Sequence, residues 1–224
     1  MNKNMSADQE RSGNWIELYI RKLVTSLFYF RGYRVLFPSN PFYTPGAVRY
    51  ISKYLNPEMK LFEWGAGISS VWYARRIGEY IAVEHNEQWF NRVQISLRNK
   101  GLSSAKLLFA PEKQTGRKYG WQNEWRYYDQ INECPQNTEL KDYIFSIDAY
   151  PDAYFDVIVI DGRERIPCLL HARDKLNQHG ILIFDDSARP RYNKCFTILK
   201  DWEFIQFDFG LKQTTIFARN RDDL

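Results

Sequence analysis

The sequence has few of the features that mark the most easily recognised protein classes. Its 224 residues include three cysteines, Cys134, Cys168 and Cys195, and no CxxC spacing, which supports neither a disulfide framework nor a zinc site. No apolar run approaches the ~20 residues that span a bilayer, and the polar start MNKNMSADQERSG has no signal-peptide core. We therefore expect a cytoplasmic protein without a transmembrane segment.

Charge of one sign is also scarce. The net charge of +4 comes from 31 basic and 27 acidic residues that are mixed along the chain, and no run resembles a basic arm that binds nucleic acid. We therefore expect no nucleic-acid partner. The composition, 44% hydrophobic and 26% charged, is instead typical of one compact domain with a covered central sheet.

Strand-like and helix-like segments alternate along the chain. Apolar residues at helical spacing predict a leading helix over residues 15–31, and Thr44-Pro45 predicts the start of a second helix that runs to about Leu55. Five apolar strands follow, KLFEW, EYIAVE, AKLLFA, FDVIVID and GILIFDD, with helices predicted over Ser69–Ile77, Asn86–Lys100 and Arg165–Gln178.

This order predicts an α/β fold. Strands that are apolar throughout, with helices between them, are typical of a parallel sheet that is buried on both faces. The closely spaced segments WEFIQFDFG and KQTTIFARN predict an antiparallel hairpin at the end of the chain. We expect a Rossmann-like, doubly wound sheet of seven strands, mostly parallel with an antiparallel C-terminal hairpin strand. Residues 1–44 would form a tail and leading helix, and residues 45–224 a single domain.

The segment LFEWGAGISS, residues 61–70, joins the first strand of this sheet to its helix. Glycines there let the backbone turn tightly and approach a ligand, which is typical of a nucleotide site. Ser70 occupies the position of the third glycine of the dinucleotide pattern G-x-G-x-x-G, which weakens the phosphate interpretation. Glu63, two residues before the first glycine, would repel a pyrophosphate and attract a cation.

These residues resemble motif I of the class I S-adenosylmethionine (SAM) methyltransferases, E/D-x-G-x-G-x-G, with Ser69 in place of the last glycine. The resemblance runs from about residue 45 to the end, and FDVIVIDGRER and ILIFDDSARPRY look like a bacterial branch associated with small molecules and glycans. It implies SAM as cofactor, with Glu84 accepting both ribose hydroxyls. The implied cofactor-binding residues are Glu63, Gly65, Ala66, Gly67, Ser69 and Glu84.

Acidic residues end two further strands. Asp161 follows FDVIVI, and Asp185-Asp186 follow GILIF, so their carboxylates are expected at one sheet edge. The arrangement resembles the metal-dependent catechol-type O-methyltransferases, which implies a Mg²⁺ site at Asp161, Asp185 and Asp186, although Asp186 replaces the family's asparagine. Two alternatives stay open: Asp161 or Asp185 acts as a general base without metal, or both acids merely cap the helices that follow.

The expected function is O-methylation of a hydroxyl on a small molecule or glycan precursor. A nucleic-acid methyltransferase, an NAD-linked oxidoreductase and a SAM-binding protein without turnover remain alternatives.

Acceptor choice would lie in an aromatic-rich insertion at about residues 111–150, which contains YGWQNEWRYY. Arg163, Arg165, Arg189 and Arg191 flank the acidic strand ends and would either bind an anionic acceptor or pair with the aspartates. The leading helix would roof the site, mediate a homodimer or touch a membrane surface, and we prefer the roof.

Overall fold

The computed structural model describes residues 18–28, 32–113 and 138–224. The aromatic segment 119–128 therefore lies outside the described residues, as do both ends of the predicted leading helix. The seven strands are β1 (Lys60–Trp64), β2 (Glu79–Glu84), β3 (Lys106–Phe109), β4 (Phe155–Ile160), β5 (Leu176–Asp185), β6 (Glu203–Phe209) and β7 (Lys212–Ala218).

Helices connect most of these strands. They are α1 (residues 18–28), α2 (Arg34–Leu36), α3 (Pro45–Tyr54), α4 (Ile68–Ala74), α5 (Glu87–Asn99), α6 (Lys141–Ile144), α7 (Arg165–Lys175) and α8 (Lys194–Ile198), with single 3₁₀ turns at Phe145–Ala149, Pro190–Tyr192 and Arg221–Asp223. Within the described ranges, no helix is long and apolar enough to cross a membrane.

The strands form one sheet in the order β3-β2-β1-β4-β5-β7-β6. Neighbours among β1 to β5 are parallel, whereas β7 runs antiparallel to both β5 and β6. The predicted fold, a mostly parallel seven-stranded α/β sheet with an antiparallel C-terminal hairpin, is confirmed. The chain leaves β1 in both directions across the sheet, and such a reversal places a crevice at the carboxyl ends of the neighbouring strands.

Two helix ends differ from the prediction. The helix predicted over Arg165–Gln178 ends at Lys175, because Leu176 already pairs with Phe155 in the sheet. The helix predicted over Ser69–Ile77 begins one residue earlier and ends at Ala74. In the first case the pairing of a strand limits a helix whose apolar periodicity continues further along the sequence.

The sheet separates two apolar cores, and alternate residues of each strand enter opposite ones. In β4, Ile158 and Ile160 pack with the helices that follow β3, and Val157 and Val159 pack with α3, α4 and α5. Burial on both faces explains why the strands are apolar throughout. The parallel direction of β1, β2, β4 and β5 brings their carboxyl ends to one edge of the sheet, where the acidic residues lie.

Candidate functional site

The loop after β1 is held tightly against the loop after β4. Gly65 has a φ of +91°, and a Cβ built on it would lie 2.6 Å from the Cα of Gly162. Both the positive φ and the close approach of Gly162 would strain a residue with a side chain, so the position needs glycine. At Gly67 a Cβ would make ordinary van der Waals contact, its nearest neighbour being Trp89 Nε1 at 3.7 Å, and Gly67 lines the cleft described below.

Glu63 lies behind this loop and is completely buried. Its carboxylate accepts hydrogen bonds from Ser69 Oγ at 2.5 Å, from Ser70 Oγ at 3.3 Å and from the Tyr80 hydroxyl. The Ser70 hydroxyl in turn accepts the backbone N–H of Gly67 at 2.9 Å. Glu63 therefore fixes the loop from beneath, and the serine at position 69, where the family motif has glycine, supplies one of its donors.

Burial raises the pKa of Glu63 to about 7, although the hydroxyls of Ser69, Tyr80 and Ser70 oppose that rise. From the sequence we expected this carboxylate to attract a cationic ligand directly. The structure instead places it outside the lining of the cleft described below, so the expected ligand contact of Glu63 stays a prediction, and its visible contacts are with the loop.

Glu84 ends β2 and lines the cleft. Its Oε1 accepts the backbone N–H groups of His85 at 2.9 Å and Asn86 at 2.7 Å. Its Oε2 accepts no hydrogen bond from any residue in the described part of the chain. One oxygen therefore orients the carboxylate, and the other is available to a ligand.

Trp89 joins this loop to the glycine loop. It lies in the first turn of α5, where the side chain of Asn86 accepts its backbone N–H at 2.9 Å. Its indole Nε1 donates to the carbonyl of Ala66 at 2.7 Å, and its ring lines the cleft. A helical position alone would favour core packing for a tryptophan. Its place in the first turn of the helix after Glu84 is the signal that could have identified it.

Of the three aspartates at the strand ends, Asp161 lines the cleft. Its Oδ1 is 3.1 Å from Arg165 Nη2, and its Oδ2 has no hydrogen-bond partner within the described ranges. Burial and the neighbouring Asp185 carboxylate raise the pKa of Asp161 well above its usual range.

Asp185 and Asp186 are held by basic side chains. Lys212 Nζ lies 2.6 Å from Asp185 Oδ2 and 3.1 Å from Asp186 Oδ1, and Thr214 donates to Asp185 Oδ1 at 2.8 Å. Arg189 lies 2.6 Å from Asp186 Oδ2. Both carboxylates can reach Lys212 because β5 ends at Asp185 and Asp186 takes a left-handed conformation with φ +55°.

The Mg²⁺ site expected at Asp161, Asp185 and Asp186 is not supported. Among the residues that the structure describes, no group of three or more His, Cys, Asp or Glu side chains is arranged to hold a metal ion. The physical reason is the pairing of these carboxylates with Arg165, Lys212 and Arg189, which occupy the space between them. The cation of this acidic cluster is supplied by the protein's own side chains.

These features surround one open cleft of about 560 Å³. One end is formed by the glycine loop, Glu84, His85, Asn86 and Trp89. The other end is formed by Asp161 and by basic and aromatic side chains, including Arg163, Arg189, Arg191 and Tyr192. The structure thus brings Gly65, Ala66, Gly67, Ser69, Glu84 and Asp161 together, and leaves Glu63, Asp185 and Asp186 outside the lining.

The fold is similar to those of several solved methyltransferase structures. A methyltransferase from Geobacter sulfurreducens has a TM-score of 0.52 at 12% identity, covering 81% of this chain and 82% of its own. A methyltransferase-like protein from Silicibacter pomeroyi gives 0.52 at 19%, covering 80% and 89%. A candidate rRNA methylase from Clostridium thermocellum gives 0.54 at 12%, covering 80% and 96%.

At these identities the likeness establishes the fold. The chain has the Rossmann-like methyltransferase fold, with the reversed strand β7 between β5 and β6. No protein-family model matches the chain, and no curated protein matches its sequence.

Proposed function

We propose that the protein is a SAM-dependent methyltransferase that transfers a methyl group to a hydroxyl oxygen of a small molecule or glycan precursor. The observation that carries the proposal is Glu84. Its carboxylate faces the cleft opposite the glycine loop, with Oε1 anchored to two backbone N–H groups and Oε2 open to a ligand. A carboxylate in this setting is suited to accept hydrogen bonds from ribose hydroxyls.

The residues at this end of the cleft fit the cofactor. The cleft volume, about 560 Å³, lies within the range of small-molecule sites. Gly67 lines the cleft, where the lack of a side chain lets a ligand approach the backbone, and Trp89 lines the cleft beside it. In this proposal Gly65, Ala66, Gly67 and Ser69 form the cradle, Glu84 holds the ribose, and Glu63 keeps the cradle in shape.

When bound, SAM would supply a sulfonium methyl group whose carbon can form a bond to an acceptor oxygen as the C–S bond breaks, the electron pair of that bond leaving with the sulfur of S-adenosylhomocysteine. The protein's task is to hold the acceptor in that line and to remove its hydroxyl proton. Asp161 Oδ2 takes the proton, and Arg165 keeps the carboxylate oriented through Oδ1. Burial raises the pKa of Asp161, which makes it a stronger base than an exposed aspartate.

The end of the cleft beside Asp161 favours an acceptor with an anionic group. Arg163, Arg189 and Arg191 line it, and a guanidinium binds carboxylate or phosphate with two parallel hydrogen bonds. Arg189 already pairs with Asp186, so an incoming anion would share that guanidinium. The proposal gives proton removal to Asp161 and routes no step through Mg²⁺.

Calorimetric titration with S-adenosylhomocysteine tests the cofactor assignment. We expect binding by the wild type and a dissociation constant about 10- to 150-fold weaker in Glu84→Ala, the loss of one hydrogen bond to a charged group. Glu87→Ala is the matched control, because Glu87 is exposed and lies outside the cleft lining. Binding of NAD⁺ in place of S-adenosylhomocysteine, or equal binding by the Glu84 and Glu87 variants, would contradict the proposal.

A further inference from the structure

The serine at position 69 joins the buried Glu63 to the cleft. Its hydroxyl donates to Glu63 Oε1 at 2.5 Å, and Ser69 is also one of the residues that line the cleft. A Cβ built on Gly67, which lines the cleft as well, would lie 3.8 Å from Ser69 Oγ. Ser69 therefore provides a hydrogen-bonded connection between the Glu63 carboxyl and a ligand in the cleft.

The direction of the Ser69 hydroxyl depends on whether Glu63 carries a proton. An ionised carboxylate can only accept hydrogen bonds, so Ser69 points its proton at Glu63 and keeps an oxygen lone pair for the cleft. A protonated carboxyl group has a proton of its own to donate. When that proton goes to Ser69 Oγ, the serine proton is free to turn toward the cleft. The two forms of Glu63 therefore present opposite hydrogen-bonding groups to a ligand.

The ionised form of Glu63 suits the cationic part of SAM. SAM carries both an ammonium and a sulfonium, and of these groups only the ammonium has N–H bonds that can donate. A lone pair on Ser69 Oγ, with the Glu63 carboxylate directly behind it, is suited to accept from that ammonium. A serine whose proton faces the cleft would instead oppose the ammonium.

Tyr80 acts on the other oxygen of Glu63. Its hydroxyl donates to Oε2, and its ring is buried and stacks on the ring of Tyr73 with a centroid distance of 6.4 Å. The Ser70 hydroxyl donates to the same oxygen at 3.3 Å. Donors of this kind favour the carboxylate over the protonated acid, so Tyr80 helps to decide which form Glu63 takes.

Further titratable groups face this cluster. Tyr43 accepts from Tyr73 at 3.3 Å, and burial raises the pKa of Tyr43, Tyr73 and Tyr80 well above the ordinary tyrosine value, so these rings stay neutral near pH 7. The charge of Glu84, at the end of the neighbouring strand, opposes ionisation of Glu63. Burial is the largest influence, and the resulting pKa of about 7 lets Glu63 change charge near neutral pH.

We propose that Ser69 relays the charge of Glu63 to the cleft and holds the ammonium of the cofactor, and that Tyr80 is a positioning residue that acts through Glu63. The inference rests on the proposed cofactor, to which it adds a residue contact and a dependence on pH. Affinity for the cofactor rises as Glu63 ionises. A ligand without the ammonium does not respond to these residues.

The test is calorimetric titration of the full chain at pH 6 and pH 8 with two ligands. S-adenosylhomocysteine keeps the ammonium, and 5′-methylthioadenosine lacks the amino-acid part that carries it. We expect S-adenosylhomocysteine to bind about tenfold more tightly at pH 8, because only about a tenth of the protein has an ionised Glu63 at pH 6. The affinity for 5′-methylthioadenosine should differ by less than about twofold between the two pH values.

Substitutions of these residues separate a relay of charge from a structural role. Ser69→Ala and Glu63→Gln should each abolish the pH response and weaken S-adenosylhomocysteine binding at pH 8 by about tenfold or more. Tyr80→Phe keeps the ring but removes a donor that lowers the pKa of Glu63, so the midpoint of the pH response should move upward by about one unit. A purely structural tyrosine would weaken binding equally at every pH.

Matched controls lie away from the cleft. Tyr154 donates to Glu79 at 2.9 Å, and Ser52 is exposed, and neither residue lines the cleft. Tyr154→Phe and Ser52→Ala should therefore bind both ligands like the wild type at both pH values. Circular dichroism would verify that every variant is folded.

The outcomes distinguish failure of this inference from failure of the proposed function. Wild-type protein that binds S-adenosylhomocysteine equally at pH 6 and pH 8 would overturn the relay and leave the cofactor assignment intact. The relay would also be overturned by an equal loss of both ligands in Ser69→Ala, which would indicate a structural role of the serine. Failure of the wild type to bind either ligand would overturn the relay together with the proposed cofactor. The wild-type comparison decides even where a variant fails to fold.

Discussion

Replacing Glu63 by glutamine should change how the stability of the protein depends on pH. The Glu63 carboxyl is completely buried, and burial raises its pKa from 4.5 to about 7. At a pH between those two pKa values, Glu63 has lost its proton in the unfolded chain but keeps it in the folded protein. Folding stability from this group is therefore fully present below pH 4.5 and is lost as pH rises through about 7.

The size of the effect follows from the shift. A difference of one bound proton changes the free energy of unfolding by about 1.4 kcal/mol for each pH unit. Between the unfolded and folded pKa values of Glu63, the wild type therefore loses about 3 kcal/mol of folding stability. Glutamine fills the same volume and does not titrate. The free energy of unfolding of Glu63→Gln relative to wild type should therefore rise by about 2–3 kcal/mol between pH 5 and pH 8.

Urea unfolding at both pH values measures this difference. Glu58→Gln is the control, because Glu58 is exposed and its substitution should leave the pH dependence unchanged. A Glu63→Gln difference from wild type that is the same at pH 5 and pH 8 would refute the reasoning. It would mean that the hydroxyls around the carboxylate compensate fully for its burial.

Two further predictions concern the acidic strand ends. Asp161→Asn should lower the rate of methyl transfer in a single-turnover assay by about 10²–10⁴-fold. Its affinity for S-adenosylhomocysteine, measured by calorimetry, should stay within about twofold of the wild type. A variant that keeps the wild-type rate would show that Asp161 is not the base. Lys212→Met should cost about 3–5 kcal/mol of unfolding free energy because it leaves Asp185 buried without its cation. The exposed salt bridge between Lys113 and Asp142 provides the control, and Lys113→Met should lower the unfolding free energy by at most about 1 kcal/mol.

The positions of the glycine loop and of Glu63 and Glu84 in the sheet could be predicted because their signals are local. Glu63 is the next-to-last residue of β1 and Glu84 is the last residue of β2, and these two apolar strands are neighbours in the sheet. Strand ends, the glycine loop and the N-cap residue Asn86 are all signals that short stretches of sequence carry. The same local patterns predicted the hairpin of β6 and β7.

The environment of these residues could not be predicted, because it depends on distant partners. Tyr80, on the neighbouring strand, donates to Glu63 and helps to bury it behind the loop. Lys212, from the hairpin, pairs with Asp185 and Asp186 where a metal ion was expected. Neither partner stands within a recognisable motif, so only the three-dimensional structure reveals that these carboxylates serve the scaffold.

The central claim is that the cleft between the glycine loop and Glu84 binds SAM. Hydrogen exchange of the backbone amides, with and without S-adenosylhomocysteine, tests it most directly. We predict slower exchange in two segments, residues 65–69 and residues 84–89, and little change in the distant hairpin strands β6 and β7. Unchanged exchange in both segments at saturating ligand, or the same protection by NAD⁺, would contradict the claim.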